Sequence, residues 1–315
     1  MERAYLGATG IRVSRLVLGC GNFGGVGSAP ALFGCGETRD QAFELMDAAW
    51  DAGITTFDTA DAYGGGRSET YIGDWLRTKG PDVRDAVVLS TKTFNPMEEG
   101  ADRGLAPARV KRQLESSLHR LGVERVGMYL AHAWDSDVPV AETAGALDEF
   151  VAEGKIGAYG LSNVDGPRLR EALAAGSFGW VQNSYSLLDR EAEREVLPLC
   201  AERRLGFMPH SPLAGGWLTG KYRRDEAPPP GSRMTMRPEP YEHLRADEVF
   251  DGLERLAARG DPVTLALAWL LADPRVTAVV IGPRRPEHLE PALAALASPL
   301  GDGERGEIGA LLPAV

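Results

Sequence analysis

An acid, a phenol, an ammonium and an imidazole stand at the ends of successive short apolar runs. Gly53-Ile54-Thr55-Thr56-Phe57-Asp58 finishes on a carboxylate, and Tyr63 follows five residues later in a glycine-rich loop. Val87-Val88-Leu89-Ser90-Thr91 leads to Lys92, and Val126-Gly127-Met128-Tyr129-Leu130-Ala131 leads to His132. A free phenol, with a pKa of about 10, is a poor acid near neutrality. An adjacent ammonium favours the phenolate and is expected to lower the pKa of Tyr63. A carboxylate beside that lysine keeps it charged and in place. An imidazole at the fourth corner can orient a carbonyl oxygen or relay a proton. Together the four residues predict a phenol that gives its proton to an oxygen as negative charge develops there, as a carbonyl reduced by hydride requires. Singly, each admits a plainer role: Asp58 a helix cap, Tyr63 a rim aromatic, Lys92 a surface charge, His132 a satisfied core histidine.

Convergence of three strand ends requires a parallel sheet, and the chain alternates short β-like runs with helical patterns accordingly. Ala4–Leu6 and Ile11–Val13 read as a hairpin around Gly7-Ala8-Thr9-Gly10. Eight candidate strands follow: Leu16–Leu18, Thr56–Asp58, Val87–Thr91, Val126–Ala131, Ala158–Leu161, Val181–Asn183, Gly206–Pro209 and Ala278–Ile281. Amphipathic stretches lie between them, such as Ala42, Leu45, Met46, Ala49 and Val110, Leu114, Ser117, Leu118, Leu121. The expected architecture is an α/β (β/α)8 TIM barrel with an N-terminal β-hairpin over its N-terminal mouth. Its C-terminal face, carrying long βα loops, would hold the site. Two loops look oversized and without helices of their own, Gly21 to Arg39 and Ala214 to about Arg245. No linker or short repeat divides residues 1–315, so one domain is expected.

Gly19-Cys20-Gly21-Asn22-Phe23-Gly24 matches G-x-G-x-x-G after a strand. A dinucleotide-binding turn of the doubly wound kind needs a helix opening at the third glycine. Gly24-Gly25-Val26-Gly27-Ser28-Ala29-Pro30 is no helix, so the glycines are read as letting backbone pass close to a ligand at the barrel rim.

A net charge of −11 argues against nonspecific attraction to nucleic acid or anionic membranes. The three cysteines, Cys20, Cys35 and Cys200, have no metal-ligand spacing, so no metal site is expected and reduced thiols suggest a cytoplasmic protein. Neither an apolar leader nor a run of membrane-spanning length is seen.

The segments Phe57–Gly64, Ser90–Lys92, Tyr129–His132, Gly160–Asn163, Gln182–Leu188 and Ser211–Tyr222 resemble the aldo-keto reductases, in family order from residue 1 to about 300. The resemblance implies a (β/α)8 barrel binding NADP(H) across its C-terminal face and exchanging hydride with an aldehyde, ketone or sugar carbonyl. It makes Tyr63 the general acid, Lys92 and Asp58 its tuning pair, and His132 the carbonyl-orienting group. Ser162, Asn163 and Gln182 match the nicotinamide carboxamide grip. Gly21 and Asn22 fall on the rim loop beside the cofactor. Ser211, Leu213 and Gly215 match the pyrophosphate loop, with Lys221 as a phosphate partner. The segment Ile281–Leu289 is similar to the one holding the adenosine phosphate, through Gly282, Arg284 and His288. A bidentate arginine there, Arg284 or Arg285, favours NADP over NAD, and Arg285 is expected to face solvent. Two departures stand out. His210 occupies the place of the usual Tyr or Trp stacked on the nicotinamide, and Pro291-Ala292 replaces a common Glu-Asn pair at adenine.

Phe23, Phe94 and Trp134 would give the substrate pocket aromatic walls, with Tyr63 and Trp217 beside them, although core packing competes for Trp217. Two other functions fit the same residues. One is an aldose 1-dehydrogenase running oxidatively. The other is a cofactor-binding regulatory subunit resembling the beta subunits of voltage-gated potassium channels, against which His132 argues. The oligomeric state is not readable.

Overall fold

The computed structural model describes residues 1–314. Two antiparallel strands, β1 (Arg3–Tyr5) and β2 (Arg12–Ser14), form the hairpin, displaced by one residue from the expected ends. Eight parallel strands follow: β3 (Leu16–Gly19), β4 (Thr56–Asp58), β5 (Val88–Thr93), β6 (Val126–Ala131), β7 (Ile156–Ser162), β8 (Trp180–Gln182), β9 (Gly206–Phe207) and β10 (Val279–Ile281). They run in the order β10-β3-β4-β5-β6-β7-β8-β9. Thr277 N–H donates to the Phe207 carbonyl at 2.8 Å and Val280 N–H to the Pro209 carbonyl at 3.0 Å, so the last two strands also meet and the cylinder closes. This is the expected (β/α)8 architecture.

Period-two alternation decides which side chains face the axis. Val17, Met128, Leu130, Trp180, Met208, Ala278 and Val280 point inward and pack with Leu6 and Val13 of the hairpin. The outward residues Leu16, Leu18, Phe57, Leu89, Tyr129, Ala131, Leu161 and Val181 join the larger core between strands and helices. The predicted helical faces are buried there, Ala42, Leu45, Met46 and Ala49 on Arg39–Asp51, and Val110, Leu114, Ser117, Leu118 and Leu121 on Pro107–Leu121. Thr38 opens the first of these helices with a reciprocal cap to Gln41, satisfying donors that would otherwise be orphaned. The hairpin caps the barrel floor: Ser14 Oγ accepts from Thr55 and Thr56 N–H, both at 3.2 Å.

The two long loops do contain helical turns of their own. Pro30–Leu32 forms a short 3-10 turn in the first. The second holds turns at Ala214–Thr219, Arg233–Met236 and Glu239–Leu244. Pro30 opens the turn Pro30–Leu32, and Pro238 and Pro240 flank Glu239 at the start of Glu239–Leu244, presetting the backbone at both places, a signal that glycine and proline density alone disguises as open loop. Gly24 is followed by no helix before Pro30, and its φ is +68°, so the G-x-G-x-x-G match has no phosphate-binding helix behind it. Among the described residues, no helix is long and apolar enough to cross a membrane, and no group of His, Cys, Asp and Glu is arranged to hold a metal.

Candidate active site

The alternation that hides Phe57, Thr91, Ala131 and Leu161 behind the sheet turns their neighbours Asp58, Lys92, His132 and Ser162 into the C-terminal mouth. Lys92 is completely buried. Its ammonium donates to Asp58 Oδ2 at 2.5 Å and to the Thr59 carbonyl at 2.8 Å. Asp58 Oδ1 accepts from Ser90 Oγ at 2.8 Å and Gln182 Nε2 at 3.1 Å, so the nearby donors hold the carboxylate in one orientation. Burial disfavours the Lys92 charge, but Asp58 and Tyr63 outweigh it and hold its pKa above that of an ordinary lysine.

Tyr63 begins the turn Tyr63–Gly66, in which Gly64, Gly65 and Gly66 all have positive φ. A Cβ on Gly64 would lie 2.7 Å from the Phe23 carbonyl, so the turn both needs left-handed backbone and presses against the first loop. The turn folds the Tyr63 ring back over the mouth, with Lys92 Nζ 5.1 Å from its centroid. One expectation is corrected here. The Tyr63 pKa is raised, not lowered, because burial of the phenol exceeds the pull of Lys92 while Asp58 pushes the same way as burial. The phenol therefore keeps its proton at neutral pH, and the ammonium moderates the penalty without reversing it.

His132 faces the same point. Its Nε2 lies 3.5 Å from the Tyr63 hydroxyl, and the rings meet edge to face at 5.5 Å. Asn95 Nδ2 lies 3.3 Å from Nδ1, and its amide also reaches Ser28 Oγ. With that amide donating, Nδ1 accepts and the ring proton sits on Nε2, aimed at the phenol. Burial, then Lys92 and His210, push the His132 pKa well below its ordinary value, so the ring is neutral. Asn95 was not singled out in the sequence; an asparagine three residues beyond Lys92 is the only signal it gives.

The residues matched to a cofactor grip divide into two groups. Ser162 and Gln182 are buried at the strand ends, and the Asn163 amide donates to Ser162 Oγ and the His132 carbonyl, both at 3.0 Å. His210 Nε2 lies 2.9 Å from Asn163 Oδ1, and Nδ1 lies 3.0 Å from Ser211 Oγ. Burial lowers the His210 pKa to about 4, so this ring too is uncharged. The second group lies at the rim. Gly215 and Gly216 have φ of 65° and 95°, with the Tyr241 ring against Gly215, and Leu213 precedes them. Lys221 folds over Gly216; burial, Arg284 and Arg233 lower its pKa. Arg284 Nε donates to Glu37 Oε1 at 2.7 Å, and its backbone N–H donates to His288 Nδ1 at 3.2 Å. Gly282 has open space beside it, and Gly21 backs onto the Tyr63 ring. Asn22 Oδ1 accepts from Arg233 Nη2 at 2.8 Å. Arg233 and Glu37 went unnoticed in the sequence because each lies far from any strand end. Amides at the mouth, left-handed glycines and three cations at the rim fit a long ligand with a neutral end and an anionic end.

The aromatic residues are less gathered. Phe23 is 1% exposed and packs in the main core, as does Trp217. Trp134 shares a small cavity with Leu105, Ala131, Leu161 and Phe178, behind the strands, and Phe94 packs partly against the same core. None of these four rings makes a ring contact with Tyr63.

Residues 15–312 match the sequence model of the Aldo/keto reductase family, and the chain belongs to that family of oxidoreductases, which act on carbonyls with nicotinamide cofactors. It is similar to an "uncharacterized oxidoreductase YrpG" of Bacillus subtilis (strain 168), at 38% identity over 94% of this chain and 91% of the relative. An "NADH-specific methylglyoxal reductase" of Escherichia coli (strain K12) is 33% identical over 96% of both chains. An "aldo-keto reductase yakc [NADP(+)]" of Schizosaccharomyces pombe is 31% identical over 89% of this chain and 88% of its own.

Proposed function

We propose that this protein reduces a small aldehyde, ketone or sugar carbonyl with NADPH, and that Tyr63 is the general acid. The observation that carries this reading is the meeting of the Tyr63 hydroxyl and His132 Nε2 at 3.5 Å above a fully buried Lys92–Asp58 pair. A nicotinamide cofactor, when bound, supplies the hydride. The chain's own residues do the rest. The His132 Nε2–H donates to the carbonyl oxygen and fixes its place. Tyr63 then transfers its proton to that oxygen as charge builds on it. Lys92 makes the departing proton less costly by stabilising the phenolate left behind, and Asp58 keeps Lys92 charged and still. The amides of Asn163 and Gln182 and the hydroxyl of Ser162 suit a carboxamide, being able to donate and accept. Lys221 and Arg284 suit phosphates, and a guanidinium at Arg284 favours a 2′-phosphate and hence NADP over NAD. The test is a panel of aldehydes, ketones and aldoses offered with each cofactor and followed by reduced-nicotinamide absorbance. Reduction of aldehydes or ketones with NADPH is expected. Turnover confined to aldose oxidation would favour the dehydrogenase direction, and binding of cofactor without turnover of any substrate would favour a regulatory subunit.

A further inference from the structure

The rim of the barrel holds a carboxylate that the proposed chemistry does not use. Glu37 closes the first long loop, its N–H donating to the Asn22 carbonyl at 2.8 Å and its carbonyl accepting from Gly24 at 2.9 Å. Its side chain is 3% exposed, Oε1 is bonded to Arg284 Nε, and Oε2 is buried without a partner. Arg284, by contrast, is 48% exposed. The charged and titratable groups around this pair are Arg233 and Lys221 from the seventh βα loop and Arg284 and His288 from the eighth. Arg233 is turned towards Asn22, which leaves Arg284 as the one cation bonded to Glu37.

We propose that Glu37 sets the cofactor preference of this protein by competing with a 2′-phosphate for Arg284; this rests on the dinucleotide site put forward above. Two consequences follow from the geometry. Arg284 has already committed Nε to Glu37, and Nη1 lies 3.4 Å from the Gly231 carbonyl, so fewer of its five donors are free for a bidentate clamp. Its charge is also offset by the carboxylate. A 2′-phosphate that draws Arg284 away leaves Glu37 buried without its counter-ion, and a second anion then sits close to the first. A 2′-hydroxyl leaves the pair intact. Glu37 therefore disfavours NADPH relative to what Arg284 alone would give, while NADH is unaffected. Burial already pushes the Glu37 pKa up against the pull of Arg284, so loss of that arginine to a phosphate drives proton uptake.

Dissociation constants for NADPH and NADH, read from tryptophan fluorescence of wild-type protein and Glu37→Gln, test this directly. Removing the charge is expected to tighten NADPH about tenfold and change NADH less than about twofold. A preference for NADPH over NADH, taken as the ratio of affinities, that is unchanged or weaker in Glu37→Gln overturns the proposal. Calorimetry near neutral pH in two buffers of different ionisation enthalpy offers a second test. A bound phosphate can also draw a proton onto the His288 imidazole, whose pKa is lowered by burial and by the neighbouring cations, so the carboxylate is isolated by comparison with Glu37→Gln. Net proton uptake with NADPH, absent with NADH and smaller in Glu37→Gln than in the wild type, marks Glu37; equal uptake in the two proteins counts against it. Failure of the wild-type protein to bind either cofactor would instead remove the dinucleotide site itself.

Discussion

Lys92 and Asp58 form an ion pair at 2.5 Å from which water is shut out, the two side chains being 0% and 4% exposed. Such a pair resists removal of one half far more than replacement of both, because the survivor is left charged in a poor solvent. Asp58→Asn leaves the Lys92 ammonium with only the Thr59 carbonyl as a strong acceptor. Thermal unfolding is expected to show a loss of about 3–5 kcal/mol, with turnover falling at the same time. A variant as stable as the wild type would mean that the pair does not carry buried charge.

A second buried carboxylate gives a pH signature. Asp61 is 0% exposed, neither oxygen has a partner of good hydrogen-bonding geometry, and burial raises its pKa from 3.8 to about 7, with Glu69 adding to the rise and the nearby Thr93 hydroxyl and Arg109 opposing it. Between those values the native state holds the proton more tightly than the unfolded chain. The stability tied to Asp61 is thus full at acid pH and is lost as pH rises through about 7. Asp61→Asn should raise the unfolding free energy by roughly 1–3 kcal/mol at pH 8, with the gain shrinking towards pH 5. An equal gain at both pH values would show that Asp61 is not ionising in the native state.

At the rim, Arg284→Ala should weaken NADPH binding while leaving NADH binding nearly the same. The expected loss is about 1.5–3 kcal/mol, as for a hydrogen bond to a charged group. Parallel titrations of both cofactors measure it; equal losses would contradict recognition of a 2′-phosphate by this residue.

Much of the fold and the core of the candidate site could be read from residue order. Thr56-Phe57-Asp58 and Ser90-Thr91-Lys92 carry their own facing pattern, since the apolar or outward-bonding residue alternates with the one that reaches the mouth. Local pattern alone therefore predicted which ends converge. What it could not predict was anything set by contacts between distant loops. Glu37 meets Arg284 across 247 residues, and Arg233 meets Asn22 across 211. Neither belongs to a periodic run, so no spacing announces them. The sign of the Tyr63 shift was misjudged for a related reason. A neighbouring charge can be inferred from sequence, whereas the depth at which the phenol is buried depends on Gly64–Gly66 folding it back over the barrel.

The account stands on proton transfer from one hydroxyl, and Tyr63→Phe removes that hydroxyl and little else. The decisive measurement is aldehyde reduction by NADPH in this variant, paired with its NADPH dissociation constant. A fall in kcat of at least about a thousandfold is expected, with NADPH binding within about twofold of the wild type. Turnover comparable to the wild type, with the cofactor bound as before, would contradict the assignment of the acid to Tyr63.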